Sequence, residues 1–360
     1  MLQIKTTKLQ EMLSRAIKGA GGDPKRPITT YLVMEMSNGK FTLTTTNDVN
    51  YLYIQDDVDC DEDFYACVSI DKFPKLIARL TCEDVTLELK DNYLEVTGNG
   101  KYQIGYELDD STGEMVRFPN PLKTDISTKV GEITRETITT VLTAIKPALA
   151  ANASRPQYLN YYMGDLIVAT DTFKISALQT KVFTDKARLL TAATVDLLDT
   201  MVDDLVEIYA DDNRILFKSE HGVLFGYTND NLMQSFLIDK LKPYLERSYP
   251  SCCKIYKNEI LQAIERISLF VDYFDNDVIN INFENDALAI TSNQDNSSET
   301  ISYITKNAGL EPCNGKVLLE RFRTQIKAQS SDMVEIYFGD GKSIKIVDND
   351  LVLVAALGTK

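Results

Sequence analysis

Histidine occurs once in these 360 residues, as His221. An imidazole-based metal centre or catalytic triad is therefore hard to assemble. His221, in SEHGVLF ahead of an apolar run, reads as a turn residue. Cysteine is also sparse: Cys60, Cys67, Cys82, Cys252, Cys253 and Cys313 form no C-x-x-C pair. Metal-ligand spacing is absent and reduced thiols are expected, with adjacent Cys252 and Cys253 as the one candidate redox pair. The chain also lacks a G-x-S-x-G elbow, a P-loop and a G-x-G-x-x-G fingerprint, which removes the usual signatures of hydrolases, nucleotide hydrolases and dinucleotide enzymes. No apolar run approaches the ~18 residues of a membrane-crossing helix. The start, MLQIKTTKLQEML, is too interrupted by charge for a signal peptide, so a cytoplasmic location is expected. Positive charge is in deficit: 38 basic against 53 acidic residues give a formal charge of −15. That sum argues against the usual basic footprint of a nucleic-acid binder, but the distribution of charge matters more than its total.

What is present is repetition. The length suggests two or three domains, and a hydrophobic content of 44% is enough for real cores. Three windows of equal length match in pattern: VTLELKDNYLEVTGNGKYQIGY from Val85, VEIYADDNRILFKSEHGVLFGY from Val206 and VEIYFGDGKSIKIVDNDLVLVA from Val334. Each alternates apolar and polar residues over three short segments separated by turn residues, the pattern of an antiparallel meander. Each follows a stretch with helical spacing, at 69–80, 191–203 and 315–329, with Ser69, Thr191 and Thr194 as candidate caps. A second triple precedes these. Helices are expected over 6–20, 134–150 and 257–270, followed by strands KFTLTTTND (40–48), DLIVATDT (165–172) and DALAITSNQ (286–294). The unit of helix, strands, helix, strands recurs about every 120 residues. Proline-bearing segments 118–129 and 242–252 read as linkers. The expected fold is α+β: three repeated domains, 1–122, 129–246 and 253–360, each with two helices on antiparallel sheet, and exposed meander edges available to pair from unit to unit.

At this point the sequence resembles the bacterial DNA polymerase III beta subunit, the sliding-clamp family, along its whole length. The passages that carry the likeness are GGDPKRPITTYLVMEMSNGKFTLTTTNDV, FPNP, SRPQYLNYYMGDLIVATDTFKISAL, NGKVLLERFRTQI and the terminal VDNDLVLVAAL. There are departures. The family's ATDGHRLA is ATDTFKISA here, so Thr172, Phe173 and Lys174 stand where Gly, His and Arg are usual. The usual C-terminal Met-Pro-Met-Arg is replaced by Ala355, Ala356 and Leu357, then Gly358, Thr359 and Lys360. A divergent member encoded by a phage or mobile element would account for both.

The resemblance implies a DNA-clamp fold forming half of a six-domain ring. It implies a homodimer, joined head to tail, that encircles double-stranded DNA without reading its sequence. It also implies loading by an ATP-dependent clamp loader, tethering of the replicative DNA polymerase, and neither a cofactor nor catalysis. A peptide-binding cleft would use Leu159, Thr170, Thr172, Phe173, Lys174 and Ile175. The family's linker spacing, two prolines seven apart with an arginine four after the first, is kept by Pro243, Arg247 and Pro250; Ser248 lies beside them. Ile344, Val352, Leu353, Val354, Ala355 and Ala356 would complete its floor. Sliding needs only weak phosphate contacts from inward-facing helices, and an acidic exterior is screened over ~8 Å at physiological salt. The implied DNA contacts are Lys8, Arg15, Lys18, Lys25, Arg26, Lys72, Lys75, Arg79, Arg135, Lys146, Gln157, Tyr158, Lys316, Arg321, Arg323 and Lys327. The stretch 191–203 is an exception, its only charges being Asp196, Asp199 and Asp203. Tyr102 and Ile104 would meet Leu269 and Phe270 of a partner.

Two other readings stay open. One is a clamp-fold peptide-binding protein that does not slide on DNA, a reading favoured by the acidic 191–203 stretch and the net charge. The other is a hydrolase, using Asp171 and Lys174 at the end of the strand in LIVATDTFKISAL or a thiol of Cys252-Cys253.

Overall fold

The computed structural model describes all residues except 38, 59, 61–62, 120, 122–125, 153, 272–276, 295, 307–312 and 359–360. The expected linker 118–129 therefore lies partly outside the described residues. Eight α-helices are described: α1 (Thr6–Ala16), α2 (Phe73–Ile77), α3 (Arg135–Thr140), α4 (Ala192–Leu197), α5 (Met233–Phe236), α6 (Ile238–Glu246), α7 (Lys257–Ser268) and α8 (Leu319–Lys327). The chain forms two compact units, one of Met1–Ile138 with Ala193–Thr228, the other of Thr139–Ala192 with Asn229–Lys360. The segment 129–246 contributes to both.

In the first unit, a four-stranded antiparallel sheet runs in the order Leu2–Lys5, Asp84–Leu89, Tyr93–Thr97, Lys101–Gly105. Its last three strands are the meander read from Val85. An eight-stranded sheet runs Phe64–Ser69, Tyr31–Ser37, Lys40–Thr46, Tyr51–Asp57, Gly222–Tyr227, Arg214–Lys218, Leu205–Ala210, Lys129–Thr134. At its middle the first repeat meets the second, with Leu224 opposite Leu52 and Val223 opposite Tyr53. Strand alternation sends Leu43, Leu52, Ile54, Ile208 and Leu224 fully inside. Helix α1 buries Leu9, Met12, Leu13 and Ala16, the i, i+3, i+4, i+7 stripe of an amphipathic helix.

The second unit repeats the scheme. A nine-stranded sheet runs Arg188–Thr191, Asn160–Met163, Ile167–Thr170, Lys174–Leu178, Leu351–Ala356, Ser343–Asp348, Met333–Phe338, Ser251–Tyr256, Ile304–Thr305. The second and third repeats meet where Ile175 faces Val354 and Ala177 faces Val352. A four-stranded sheet runs Ser298–Ser302, Ala287–Ser292, Val278–Glu284, Cys313–Leu318. Helix α7 buries Ile260, Ala263, Ile264 and Ile267 at the same helical spacing. The three-repeat α+β plan and the meander joins both follow the sequence reading.

Several expected helices are shorter. Over 134–150, α3 passes into a π-turn at Val141–Ile145 and a 3-10 turn at Lys146–Ala148. Pro147 has no N–H to donate, and its ring crowds the carbonyl four residues back; the β-branched run from Thr137 to Val141 adds crowding. The stretch 315–329 begins as strand, with helix from Leu319. Helix α2 starts at Phe73, with Lys72 at its N-cap, while Ser69 Oγ accepts the Asp71 N–H at 3.2 Å. In the expected linker 242–252, helix α6 continues to Glu246 with Pro243 inside it.

The single histidine closes a hairpin. His221 Nδ1 lies 2.6 Å from Asp203 Oδ1, and the His221 carbonyl accepts from Arg15 Nη2 at 3.0 Å. The hydrogen bond to Asp203 raises the His221 pKa above its ordinary value, with Glu220 and Asp56 adding in the same direction. Burial works to raise the Asp203 carboxyl, but hydrogen bonds from Ser219 and His221 outweigh it and hold it low. The imidazolium contribution is complete below the unfolded histidine value of about 6.5 and is lost as pH rises through the higher folded value. The thermal midpoint of the chain should fall between pH 6 and 8, and that fall should shrink in His221→Gln. Parallel curves for the two proteins in calorimetry would remove His221 from the account.

Candidate functional site

The stretch that first looks catalytic is a turn held by its own side chains. Asp171 Oδ1 accepts the N–H groups of Phe173 and Lys174, each at 2.9 Å. Thr170 Oγ1 accepts the Thr172 N–H at 3.0 Å and donates to the Lys174 carbonyl at 2.7 Å. The other Asp171 oxygen pairs with Arg321 of α8 at 3.3 Å. Lys174 Nζ donates to the Pro147 carbonyl, and burial pushes its pKa below the ordinary lysine value. Asp171 and Lys174 thus serve separate structural partners and do not form an acid–base pair. Burial likewise pushes the Cys252 thiol up to about 11 and the Cys253 thiol higher, so neither is a thiolate nucleophile. Between Asp171 and Phe173, Thr172 holds φ +80°, a region costly for a β-branched residue.

The turn projects Phe173, 60% exposed, over a cavity of about 400 Å³. Its walls are Thr172, Phe173, Ile175, Leu241, Tyr244, Arg247, Lys342, Ser343, Val354 and Ala356. Ile175 and Val354 also belong to a buried cluster with Val168, Ala177, Phe236 and Leu245, against which Leu241 and Val352 pack. Arg247 is anchored by Asp340 Oδ2 at 2.8 Å, and its carbonyl accepts from Lys345 Nζ at 2.7 Å.

Thr172, Phe173, Ile175, Arg247, Val354 and Ala356 are the sequence-expected cleft residues found in this wall. The period of two corrects several others. Facing residues of paired strands share a face, so Ile175 with Val354 and Ser343 with Ala356 point into the cavity. Lys174 and Ile344, both opposite Ala355, point away with it, and so does Leu353. Thr170 is fully buried beneath the turn. Val352 packs in the core, Pro243 and Ser248 are exposed outside the wall, and Leu159 also lies outside it. Leu241 and Tyr244, three apart on α6, are wall residues the sequence reading missed, along with Lys342 and Ser343. A helical reading of 238–246 would have found the first two.

The cations assigned to DNA divide into committed and free groups. Arg15 is a correction: its side chain is buried, with Nε 2.8 Å from the Thr200 carbonyl and Nη2 on that of His221. Tyr158 is another, stacked edge-on against Phe236 at 5.5 Å and buried; Gln157 beside it is half-buried. Lys18 pairs with Asp199 at 3.1 Å, and Arg135 reaches Asp199 and the carbonyls of Asp199 and Met201. Burial works to raise the Asp199 carboxyl, but Lys18 and Arg135 hold it below the ordinary range. Arg15, Lys18 and Arg135 therefore converge on the turn that ends α4, where cations are favoured by the carbonyl end of a helix. Lys8 pairs with Asp56, Arg26 with Asp48, Lys75 with Asp71 and Arg323 with Glu320. Arg321 is turned to Asp171 and Phe173. Lys146 is exposed. Lys25, Lys72, Arg79, Lys316 and Lys327 have no carboxylate partner among the described residues. Of the residues assigned to a partner contact, Leu269 is 80% and Phe270 51% exposed, Tyr102 is half-buried and Ile104 is buried.

No family model and no curated protein sequence matches the chain. Solved structures do. A DNA polymerase sliding clamp from Pseudomonas aeruginosa superposes with TM-score 0.82 at 13% identity, over 100% of this chain and 99% of that one. The fold is that of a bacterial sliding clamp. The DNA polymerase III beta subunit of Thermotoga maritima gives TM-score 0.81 at 12% identity with the same coverage. A Bartonella birtlesii sliding clamp solved bound to griselimycin gives 0.84 at 14%, again over 100% and 99%. Among the described residues, no helix of this clamp-fold chain is long and apolar enough to cross a membrane.

The strain at Thr172 is testable. Glycine removes the clash of a Cβ at positive φ, a penalty of about 1–2 kcal/mol, against about 0.4–1 kcal/mol of added unfolded-state entropy. Thr172→Gly should therefore raise the denaturant midpoint slightly. A lower midpoint would mean the Thr172 side chain contributes more to the turn than its backbone costs.

Proposed function

We propose that this chain is a DNA sliding clamp, a processivity factor without catalytic activity of its own. On this reading it encircles duplex DNA as a head-to-tail homodimer and tethers the replicative polymerase and other proteins through the cleft beside Phe173. Loading by an ATP-dependent clamp loader belongs to the same reading, as does the division into domains 1–122, 129–246 and 253–360. The observation that carries the proposal is the apolar cavity walled by Thr172, Phe173, Ile175, Arg247, Val354 and Ala356 in a chain of clamp fold. It offers a peptide an apolar floor of Ile175 and Val354, an aromatic rim of Phe173 and Tyr244, and cations that fix orientation.

The sheets support the dimer. In the second and third meanders the last strand pairs with a strand of the preceding repeat: Gly222–Tyr227 with Tyr51–Asp57, and Leu351–Ala356 with Lys174–Leu178. The two remaining members of that scheme are Lys101–Gly105 and Ser298–Ser302, each the last strand of its own sheet among the described residues. An unpaired edge is a template for another strand, so pairing one with the other between two copies completes the pattern. Tyr102 and Ile104 lie on the first of these strands, and Leu269 and Phe270 follow α7, whose Arg266 pairs with Glu299 on the second.

Contact with DNA falls to the cations with no carboxylate partner among the described residues, Lys25, Lys72, Arg79, Lys316 and Lys327, and least to buried Arg15 and the paired Lys18 and Arg135. A clamp-fold peptide binder without sliding is the second reading. It is favoured by the burial of Arg15 and the neutralisation of Lys18 and Arg135.

Native mass spectrometry should give a particle of twice the 40.5 kDa chain mass, and the clamp loaded on plasmid should be retained on circular but lost from linear DNA. A persistent monomer at micromolar concentration, or equal loss from both DNA forms, favours the non-sliding reading. For the cleft, Phe173→Ala should weaken binding of a polymerase-tail peptide about tenfold, the order expected when one aromatic anchor surface is removed. Unchanged affinity would dismiss the cleft.

A further inference from the structure

The chain is acidic overall, with 53 acidic and 38 basic residues, yet the walls around Phe173 reverse that balance. A second cavity of about 320 Å³ adjoins the first, sharing Thr172 and Phe173 with it. Across the two cavities the charged wall residues are Arg155, Arg321, Arg247 and Lys342 against the single carboxylate of Asp171. Two of these cations are already matched: Arg321 by Asp171 at 3.3 Å and Arg247 by Asp340 at 2.8 Å. Arg155 and Lys342 are exposed and hold no carboxylate among the described residues. One belongs to each cavity, with Phe173 common to both. The ridge is fixed, because the Arg321 guanidinium lies 5.1 Å from the Phe173 ring centroid and the Phe173 carbonyl accepts the Ala356 N–H at 2.9 Å.

We infer that the cleft selects an extended peptide whose apolar anchor enters the Ile175–Val354 cavity and whose flanking acidic side chains are read by Arg155 on one side of Phe173 and Lys342 on the other. The inference rests on the peptide-cleft reading and adds the chemistry of the ligand. An extended chain advances ~3.3 Å per residue with side chains alternating, so a short segment crossing Phe173 presents side chains to both cavities. The net charge of −15 does not prevent this, since its field is screened over ~8 Å at physiological salt, whereas the two unmatched cations act at contact. Unmatched cations also offer more to an incoming carboxylate than Arg321 or Arg247, whose charges already have partners.

The test uses the full chain and two synthetic nine-residue peptides with the same central Leu-Phe anchor, one flanked by Glu on both sides and one by Gln. By fluorescence anisotropy at about 0.15 M NaCl, where the net charge is screened, the Glu peptide should bind about fivefold tighter, the order expected of two exposed ion pairs. The advantage should vanish near 0.5 M NaCl. Arg155→Gln and Lys342→Gln should each shrink the ratio of Glu-peptide to Gln-peptide affinity, whatever they do to the Gln peptide itself; both residues are exposed, so folding is not at stake. Equal affinity of the two peptides at that salt overturns the acidic selection and leaves the cleft intact. Binding of neither overturns the cleft reading and this inference together.

Discussion

An unpaired strand edge is the constraint from which this architecture follows. Backbone N–H and C=O groups need partners, and each repeat here ends in a meander whose last strand has one free side. Twice that side is satisfied by the preceding repeat, at Leu224 opposite Leu52 and at Val354 opposite Ile175. The repeats are therefore joined by hydrogen-bonded sheet and not only by linkers. The same joins create the candidate site. The cavity beside Phe173 sits where Lys174–Leu178 meets Leu351–Ala356, so its floor exists only because two repeats share one sheet.

The turn above that floor shows how little chemistry a strand end needs to look catalytic. Threonine, aspartate and lysine at 170–174 spend their hydrogen bonds on local backbone, on Arg321 and on Pro147. What the arrangement delivers is position: an aromatic ring held out over an apolar floor. Thr172 adopts a positive φ and Phe173 supplies apolar surface above the floor.

Much of this was readable in the chain, and the failures have specific causes. The stripes of α1 and α7 and the three meanders are read correctly because apolar residues fall at helical or alternating spacing with turn residues between them. The run Val352 to Ala356 could not be divided into faces, because apolar residues occupy both sides of a doubly covered strand and erase alternation. The 134–150 stretch misled because its apolar spacing continues past Pro147, where the backbone cannot. Leu241 and Tyr244 were hidden by reading Pro243 as a linker signal. Arg15 reads as a DNA-contacting cation, since nothing in a charged side chain's identity reveals that the Thr200 and His221 carbonyls hold it. The resemblance implies a set of cleft positions; backbone register decides which of them face the cavity.

The acidic stretch 191–203 acquires a different meaning once its contacts are known. Asp199 and the carbonyls around it gather Lys18 and Arg135, so part of the positive charge on neighbouring helices is spent inside the protein before any polyanion arrives. Lys18 and Arg135 present to solvent a charge that Asp199 already partly balances, so the surface there is closer to neutral than a count of its basic residues suggests.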